Sequence, residues 1–350
     1  MKTQCRNSDI ISSLPQNIID TILSLMPLQD ALRTSILSKR WRYCWMTMPK
    51  LVFDLSLVHE IFDHHEHLVK SKIVDAIFHV LLLHNGPTIL KFQIFIPELG
   101  MVTEFDQIIL YISRKLNVKE LIIDIPNTSY KLPASFFSLQ GLESLGLTNC
   151  YFQPPVTFNG FNKLRSLLFD NVQLSAKALH QLLSNCPLLE DITLLYLGAG
   201  CMPNKLPTWL HLRYVCLHLC PKEQDSISSA LCIIRSSPNI EKLILQMYDN
   251  RRLPIQESSM KFVDLQDGSS FTLARLKHLE IVSFSNNAFE MEFVKLIMAK
   301  SPVLKIARIE VNVRVSVDEE LKILRDMIRH PLPRASPSVD LIVERQKTSS

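Results

Sequence analysis

Two short segments of the chain carry the residue types that bind metal ions. The run Asp63-His64-His65-Glu66-His67 combines imidazoles with carboxylates, which are the usual metal ligands. Cys216 and Cys220 flank His218 in the pattern C-x-H-x-C, which on a strand would bring three ligands to one face. Only two of the clustered histidines share a helical face, and the C-x-H-x-C pattern lacks a fourth ligand at a common zinc spacing. We therefore interpret the histidine run as a hydrated connector and expect no metal or other cofactor.

Catalytic motifs are also missing from the sequence. The chain has only eight glycines, and none of them forms a G-x-S-x-G elbow, a Walker phosphate loop or a G-x-G-x-x-G turn. An active site is therefore not expected, and the protein is predicted not to be an enzyme.

Composition limits the partners and the compartment. Lys and Arg number 38 against 34 Asp and Glu, without a long run of like charge, so nucleic acid is not an expected partner. No apolar run reaches the length of a membrane span, and the amino terminus has no signal-peptide core. The eight cysteines are then expected to be reduced. The sequence predicts an intracellular protein of the nucleus or the cytoplasm, with no membrane partner.

The segment from Asp9 to Trp45 has more apolar surface than it can bury by itself. Pro15 fits a first helical turn before Ile18, Ile19, Ile22 and Leu23, and Met26-Pro27 ends that helix. A second helix is predicted over 30–37. A third is predicted over 39–45, with Ser38 as its cap and two tryptophans on one side. Three short helices rarely form a stable core alone, so the segment is expected to pack partly on a partner.

The order of these residues resembles the F-box. The resemblance rests on Leu14-Pro15, the ladder of Ile18, Ile22 and Leu23, the Leu25-x-Pro27 break and the closing LSKRWR. It implies that the segment docks on an SKP-type adaptor and, through cullin and RING subunits, joins an SCF ubiquitin ligase. The positions expected at the adaptor surface are Leu14, Pro15, Ile18, Ile22, Leu23 and Leu25.

An irregular repeat follows, built on the triplet L-x-x-L-x-L and starting every 22 to 36 residues. This period resembles leucine-rich repeats, in which each unit supplies one strand and a return segment. The nine triplets are Ile89-Phe92-Ile94, Val118-Leu121-Ile123, Leu142-Leu145-Leu147, Leu164-Leu167-Phe169, Leu189-Ile192-Leu194, Leu212-Val215-Leu217, Ile240-Leu243-Leu245, Leu276-Leu279-Ile281 and Leu304-Ala307-Ile309. Three returns have helical spacing and then Pro187, Pro238 or Pro302, which stops a helix before the next strand. The widest gap contains 251–270, which is interpreted as a loop or an extra element on the rim.

The carboxyl-terminal segment predicts one more helix, over 318–329, and one more strand, over 339–343. With SPVLKIARIEV, and especially Arg334-Ala335-Ser336, it resembles the FBD region of plant proteins that carry an F-box and leucine-rich repeats. The predicted fold class is therefore α/β: a three-helix F-box, then an irregular leucine-rich-repeat solenoid of parallel strands and convex helices, with an FBD-like cap. The expected boundaries are 9–50 for the F-box, 51–88 for a helical connector and solenoid cap, 89–312 for the repeats and 300–345 for the FBD-like region.

The resemblance implies an adaptor that recruits a target protein for ubiquitination. The target is expected on the concave strand surface, with Tyr214, His218 and Arg308 as the preferred contacts. Two alternatives remain open at this point. The protein could be a receptor gated by a small molecule, or an F-box interaction protein that acts outside a ligase.

Overall fold

A computed structural model of the protein describes residues 10–53, 66–95, 102–125, 130–196, 206–220, 224–248, 271–329 and 336–345. The chain divides into two compact units, Met1–Tyr151 and Phe152–Ser350. The side chains of the histidine run at 63–67, the insertion at 251–270 and the Arg334-Ala335 pair lie outside the described residues.

The first unit begins with short helices. They are α1 (Ile10–Ser13), α2 (Gln16–Ser24) and α3 (Leu28–Arg33), followed by 3₁₀ helices at Thr34–Ile36 and Trp41–Thr47. Pro15 and Pro27 precede α2 and α3, as predicted, because a fixed φ suits a helix start. The second helix was predicted over 30–37, but its α-helical part ends at Arg33 and a tighter 3₁₀ turn follows. In that turn the Thr34 hydroxyl donates to the Ala31 carbonyl at 2.6 Å.

A parallel sheet follows in the first unit. Its strands, in spatial order, are β1 (Lys50–Phe53), β2 (Ile89–Phe95), β3 (Val118–Asp124) and β5 (Ser144–Thr148). Helix α4 (Glu66–Leu83) precedes β2, α5 (Val102–Lys115) precedes β3, and β4 (Tyr130–Lys131) pairs with β6 (Cys150–Tyr151). The predictions did not include β1 or α5. Strand β1 has no leucine triplet, and no proline marks the end of α5.

The second unit repeats one strand and one return. Its parallel strands follow chain order: β7 (Ser166–Asp170), β8 (Asp191–Leu195), β9 (Tyr214–Leu219), β10 (Lys242–Met247), β11 (His278–Phe284), β12 (Ile306–Val311) and β13 (Asp340–Arg345). The returns include α6 (Ala176–Ser184), α7 (Gln224–Arg235), α8 (Ala288–Ala299) and α9 (Val317–Arg329). The predicted terminal helix and strand are confirmed as α9 and β13.

The predicted triplets form the core of both units. Every one of their side chains is at most 3% exposed. A strand alternates its side chains between two faces, so this burial leaves the intervening residues on the opposite, open face. The fold class is confirmed: amino-terminal helices are followed by the parallel strands and return segments of leucine-rich repeats.

The residue before each return's proline also has a structural role. The buried hydroxyls of Ser237 and Ser301 donate to the carbonyls of Ile233 and Ile297, four residues back, at 2.7 and 2.6 Å. These bonds supply donors to carbonyls in the last helical turn, where backbone donors become scarce, although the Ile297 carbonyl also accepts the Lys300 N–H at 3.2 Å. The equivalent residue of the earlier return is the buried Cys186.

Candidate docking surfaces

Helix α2 has two apolar faces, of which its own chain covers one. Ile19 and Leu23, one turn apart, are buried in a small core with Trp41 and Trp45. Burial of these four side chains contributes to the apolar packing that holds the helices together, along with that of Leu28 and Ala31. The face that carries Ile18, Ile22 and Leu25 is left for solvent or for another protein.

The residues expected at the adaptor surface are mostly accessible. Pro15 and Ile18 are exposed, Leu14 and Ile22 are half-buried, and Leu25 is 82% exposed at the end of α2. A leucine that exposed gains nothing from folding, so a partner could still bury almost all of its apolar surface.

Leu23 is the exception among the six. Its side chain is only 1% exposed, and a partner could reach it only if the helices separated. We therefore correct its assignment. Leu23 belongs to the core of the helical segment and stabilises the surface from beneath, as does Ile19.

The sequence did not single out three further exposed apolar residues in this segment. Ile36 is 88% exposed, and Leu37 and Tyr43 are exposed as well. A regular helix through residue 37 would have put Ile36 on the apolar side. The tighter 3₁₀ turn at Thr34–Ile36 changes the direction of that side chain.

Polar contacts fix this segment internally. The indole nitrogen of Trp41 donates to the Ile11 carbonyl at 3.3 Å, which ties the third helical segment to α1. The backbone N–H of Trp41 donates to the Ser38 hydroxyl at 3.4 Å, but the N-cap of this 3₁₀ helix is Arg40 and not the predicted Ser38. On α2, the Gln16 side-chain amide donates to the Asp20 carboxylate at 2.8 Å. The exposed apolar residues therefore sit on a hydrogen-bonded framework, which lowers the entropy cost of binding.

The three residues of the repeats that were preferred as target contacts do not lie close together in the structure. Tyr214 and His218 lie on the outward face of β9, four residues and therefore about 13 Å apart. Arg308 lies on β12, three strands and about 14 Å away, and its guanidinium pairs with the Glu344 carboxylate at 2.6 Å. Tyr214 packs beneath Lys242, whose ammonium is 5.8 Å from the ring centre.

The C-x-H-x-C residues are explained by packing. Cys216 is buried and shares a hydrogen bond with the Tyr214 side chain, while Cys220 is buried just after the strand. Burial raises the pKa of the Cys216 thiol to about 11, so the thiolate that a metal requires is disfavoured. Across the described ranges, no group of three or more His, Cys, Asp or Glu side chains has a metal-binding arrangement.

His218 instead belongs to an aromatic cluster that the sequence did not predict. Its ring centre lies 4.0 Å from that of Tyr196 and 4.8 Å from that of Tyr248. Tyr248 occupies the third position after its triplet, where Cys150 and Cys220 are buried in other repeats. A tyrosine at the position where two other repeats have cysteine was the sequence signal that could have pointed to this cluster.

Comparisons with known proteins agree with this architecture. A family model described as "FBD-associated F-box protein At5g56370, LRR repeats" matches residues 110–329, and the F-box domain model matches residues 11–53.

No helix of the described residues has the length and apolar character needed to cross a membrane.

Curated relatives from Arabidopsis thaliana carry the same modules in their names. F-box/FBD/LRR-repeat protein At1g13570 is 27% identical, in an alignment covering 95% of this chain and 98% of that protein. F-box/LRR-repeat protein At4g14096 is 34% identical over 54% of this chain and 40% of its own length. Probable FBD-associated F-box protein At1g32375 is 28% identical over 68% of this chain and 56% of its own length. The repeat match spans more than half of the chain, which therefore belongs to the FBD-associated F-box proteins with leucine-rich repeats.

Proposed function

We propose that this protein is the substrate-recruiting subunit of an SCF ubiquitin ligase. The F-box, at 9–50, docks on an SKP-type adaptor, and the repeats, at 89–312, select a target protein. The region 51–88 connects the two, and 300–345 closes the repeat array. Ubiquitin transfer is carried out by other subunits, and this chain contributes by holding a target lysine near the activated ubiquitin.

One observation carries the docking half of this proposal. The helical segment buries one apolar face completely and leaves Ile18, Leu25 and Ile36 exposed on a hydrogen-bonded framework. Scattered exposed apolar residues are common on proteins, but this many within a short segment are typical of a protein-binding surface. We assign Leu14, Pro15, Ile18, Ile22 and Leu25 to that surface and add Ile36, which the sequence had not singled out.

Co-purification of the intact chain with an SKP-type adaptor tests the proposal. The test variant is the double substitution Leu25→Asp, Ile36→Asp. Both side chains are exposed in the free chain, so the helices should still fold. In a packed contact the two carboxylates would be desolvated, which costs several kcal/mol, so the adaptor should be lost.

The matched control is Val156→Asp, which puts a carboxylate at a similarly exposed apolar position of the second unit. It should bind the adaptor as the wild type does. If the double variant is folded and still co-purifies, the adaptor does not use this surface. An interaction protein outside a ligase would then be the better interpretation.

A further inference from the structure

Three aromatic rings meet at the carboxyl ends of neighbouring strands of the second unit. Tyr196 directly follows β8, His218 lies near the end of β9, and Tyr248 directly follows β10. The two tyrosine rings are 5.5 Å apart in an edge-to-face arrangement, and the imidazole contacts both of them. Tyr196 remains 47% exposed and Tyr248 40% exposed, so the cluster presents ring surface to the outside.

The backbone of Tyr196 adopts a conformation that disfavours a bulky side chain. Residues two positions after a triplet adopt positive φ in several repeats: Asn149 at 56°, Asn171 at 52° and Ser283 at 61°. Asparagine tolerates this left-handed conformation because its short side chain bonds locally. Tyr196 adopts it at φ 48°, where a bulky side chain is strained. The repeat therefore tolerates a tyrosine at a position better suited to asparagine.

The cluster is uncharged. Burial lowers the pKa of His218 to about 4, so the imidazole is neutral at physiological pH. Burial, followed by the charge of Asp170 and by Tyr248, raises the pKa of Tyr196, so its phenol stays protonated. The three side chains thus offer neutral π faces, whose negative quadrupole attracts cations.

The surrounding strand face is acidic. Asp170 lies close enough to Tyr196 to shift its pKa. Asp191, on the same face of β8, has a raised pKa because of burial and, to a smaller extent, because of the neighbouring Glu190. On the same face, two cations are already neutralised, Lys242 by Glu280 and Arg308 by Glu344. A partner that supplies positive charge would therefore be complementary to this face.

We propose that Tyr196, His218 and Tyr248 bind an arginine or lysine side chain of the recruited protein, with Asp170 providing the opposite charge. The cationic group lies against the exposed tyrosine rings, while its aliphatic stem covers their apolar surface. Arginine is the better fit, since its planar, weakly hydrated guanidinium also stacks on aromatic rings. This proposal rests on the proposed function in one respect only, which is that the protein bound here is the target of the ligase.

Selection of peptides by the full chain tests the site. A displayed library of random twelve-residue peptides is selected on the wild type, and the selected peptides are then measured on the variants Tyr196→Asn and Tyr248→Ala. We expect the selected peptides to be enriched in arginine or lysine. Their dissociation constants for each variant should be at least about tenfold larger than for the wild type. Tyr196→Asn introduces the residue that Asn149 and Asn171 already show to suit this backbone, so its binding loss would not come from misfolding.

A matched set of peptides tests the charge. One selected peptide is made with its critical arginine, with citrulline, which keeps the shape without the charge, and with glutamate. Affinity should fall in that order. Equal binding of the citrulline peptide would overturn the cationic part of the proposal and leave an ordinary apolar contact.

Controls separate this proposal from the docking proposal. Leu210→Ala, at an exposed position before β9, should leave peptide binding unchanged. Leu25→Asp, Ile36→Asp should bind peptides normally but not the adaptor, and Tyr196→Asn should show the reverse. If no peptide is selected, or if those selected bind Tyr196→Asn and Tyr248→Ala as well as the wild type, this surface is not the site.

Discussion

Glu290 makes the stability of the second unit depend on pH in an unusual direction. Its side chain is buried at the start of α8, where the carboxylate accepts the Ser285 N–H at 2.8 Å. In return, its own N–H donates to the Asn287 side chain at 2.8 Å, which caps the helix. Burial raises the pKa of the Glu290 carboxyl from 4.5 to about 7, although these hydrogen bonds oppose the rise.

The sign and size follow from linkage between proton binding and folding. The folded state favours the protonated acid, so this contribution to stability is complete below pH 4.5 and is lost as the pH rises through about 7. A difference of this size between the folded and unfolded pKa changes the free energy of unfolding by about 3 kcal/mol. Glu290→Gln removes the charge and keeps an oxygen that can accept the Ser285 N–H, so it should not lose that stability.

Urea unfolding of the wild type and Glu290→Gln at several pH values between 4.5 and 8 measures this difference. The free energy of unfolding of the variant, relative to the wild type, should increase with pH by about 3 kcal/mol. The control Glu292→Gln changes a surface carboxylate of the same helix that pairs with Lys295, and it should show no such trend. If Glu290→Gln and the wild type keep a constant difference across this range, the carboxyl does not titrate as argued.

Three further predictions concern folding and are measured by urea unfolding at one fixed pH. Leu23→Ala should destabilise the chain by about 2–5 kcal/mol because it empties a packed core, whereas Leu25→Ala should change stability by less than about 0.5 kcal/mol and weaken only adaptor binding; similar losses would refute the separation of core from surface. Tyr196→Asn should change the free energy of unfolding by less than about 1 kcal/mol, because relief of the left-handed strain offsets the lost ring contacts with His218 and Tyr248, and a loss of several kcal/mol would refute it. Gly160→Ala should cost about 1–3 kcal/mol, because φ is +78° and the new Cβ would strike Asn185, so a neutral result would contradict the described loop.

The regular part of the fold was predictable because burial is periodic. The last two residues of each triplet are two positions apart, which places them on one face of a strand, where they are buried. The prolines at 187, 238 and 302 mark where the preceding helices end. Helix α5 was missed although Phe105, Ile108 and Ile112 have helical spacing and are buried. The other return helices were recognised by the proline that follows them, and α5 has no such proline.

The sites were less predictable because they depend on local geometry and on neighbours distant in sequence. Ile36 is exposed where the predicted second helix is replaced by a 3₁₀ turn at Thr34–Ile36. The aromatic cluster joins three repeats, so no single segment contains it. Leu23 was assigned to the surface because the F-box resemblance identifies apolar positions without distinguishing the core face of α2 from the open one.

The affinity of the full chain for an SKP-type adaptor shows whether the exposed apolar face of the helical segment is a docking surface. It is measured by titration calorimetry for the wild type, for Leu25→Asp and for the control Val156→Asp. We expect a complex for the wild type and the control, and a dissociation constant at least about a hundredfold larger for Leu25→Asp. Equal affinities for all three proteins, or no complex with the folded wild type, would contradict this expectation.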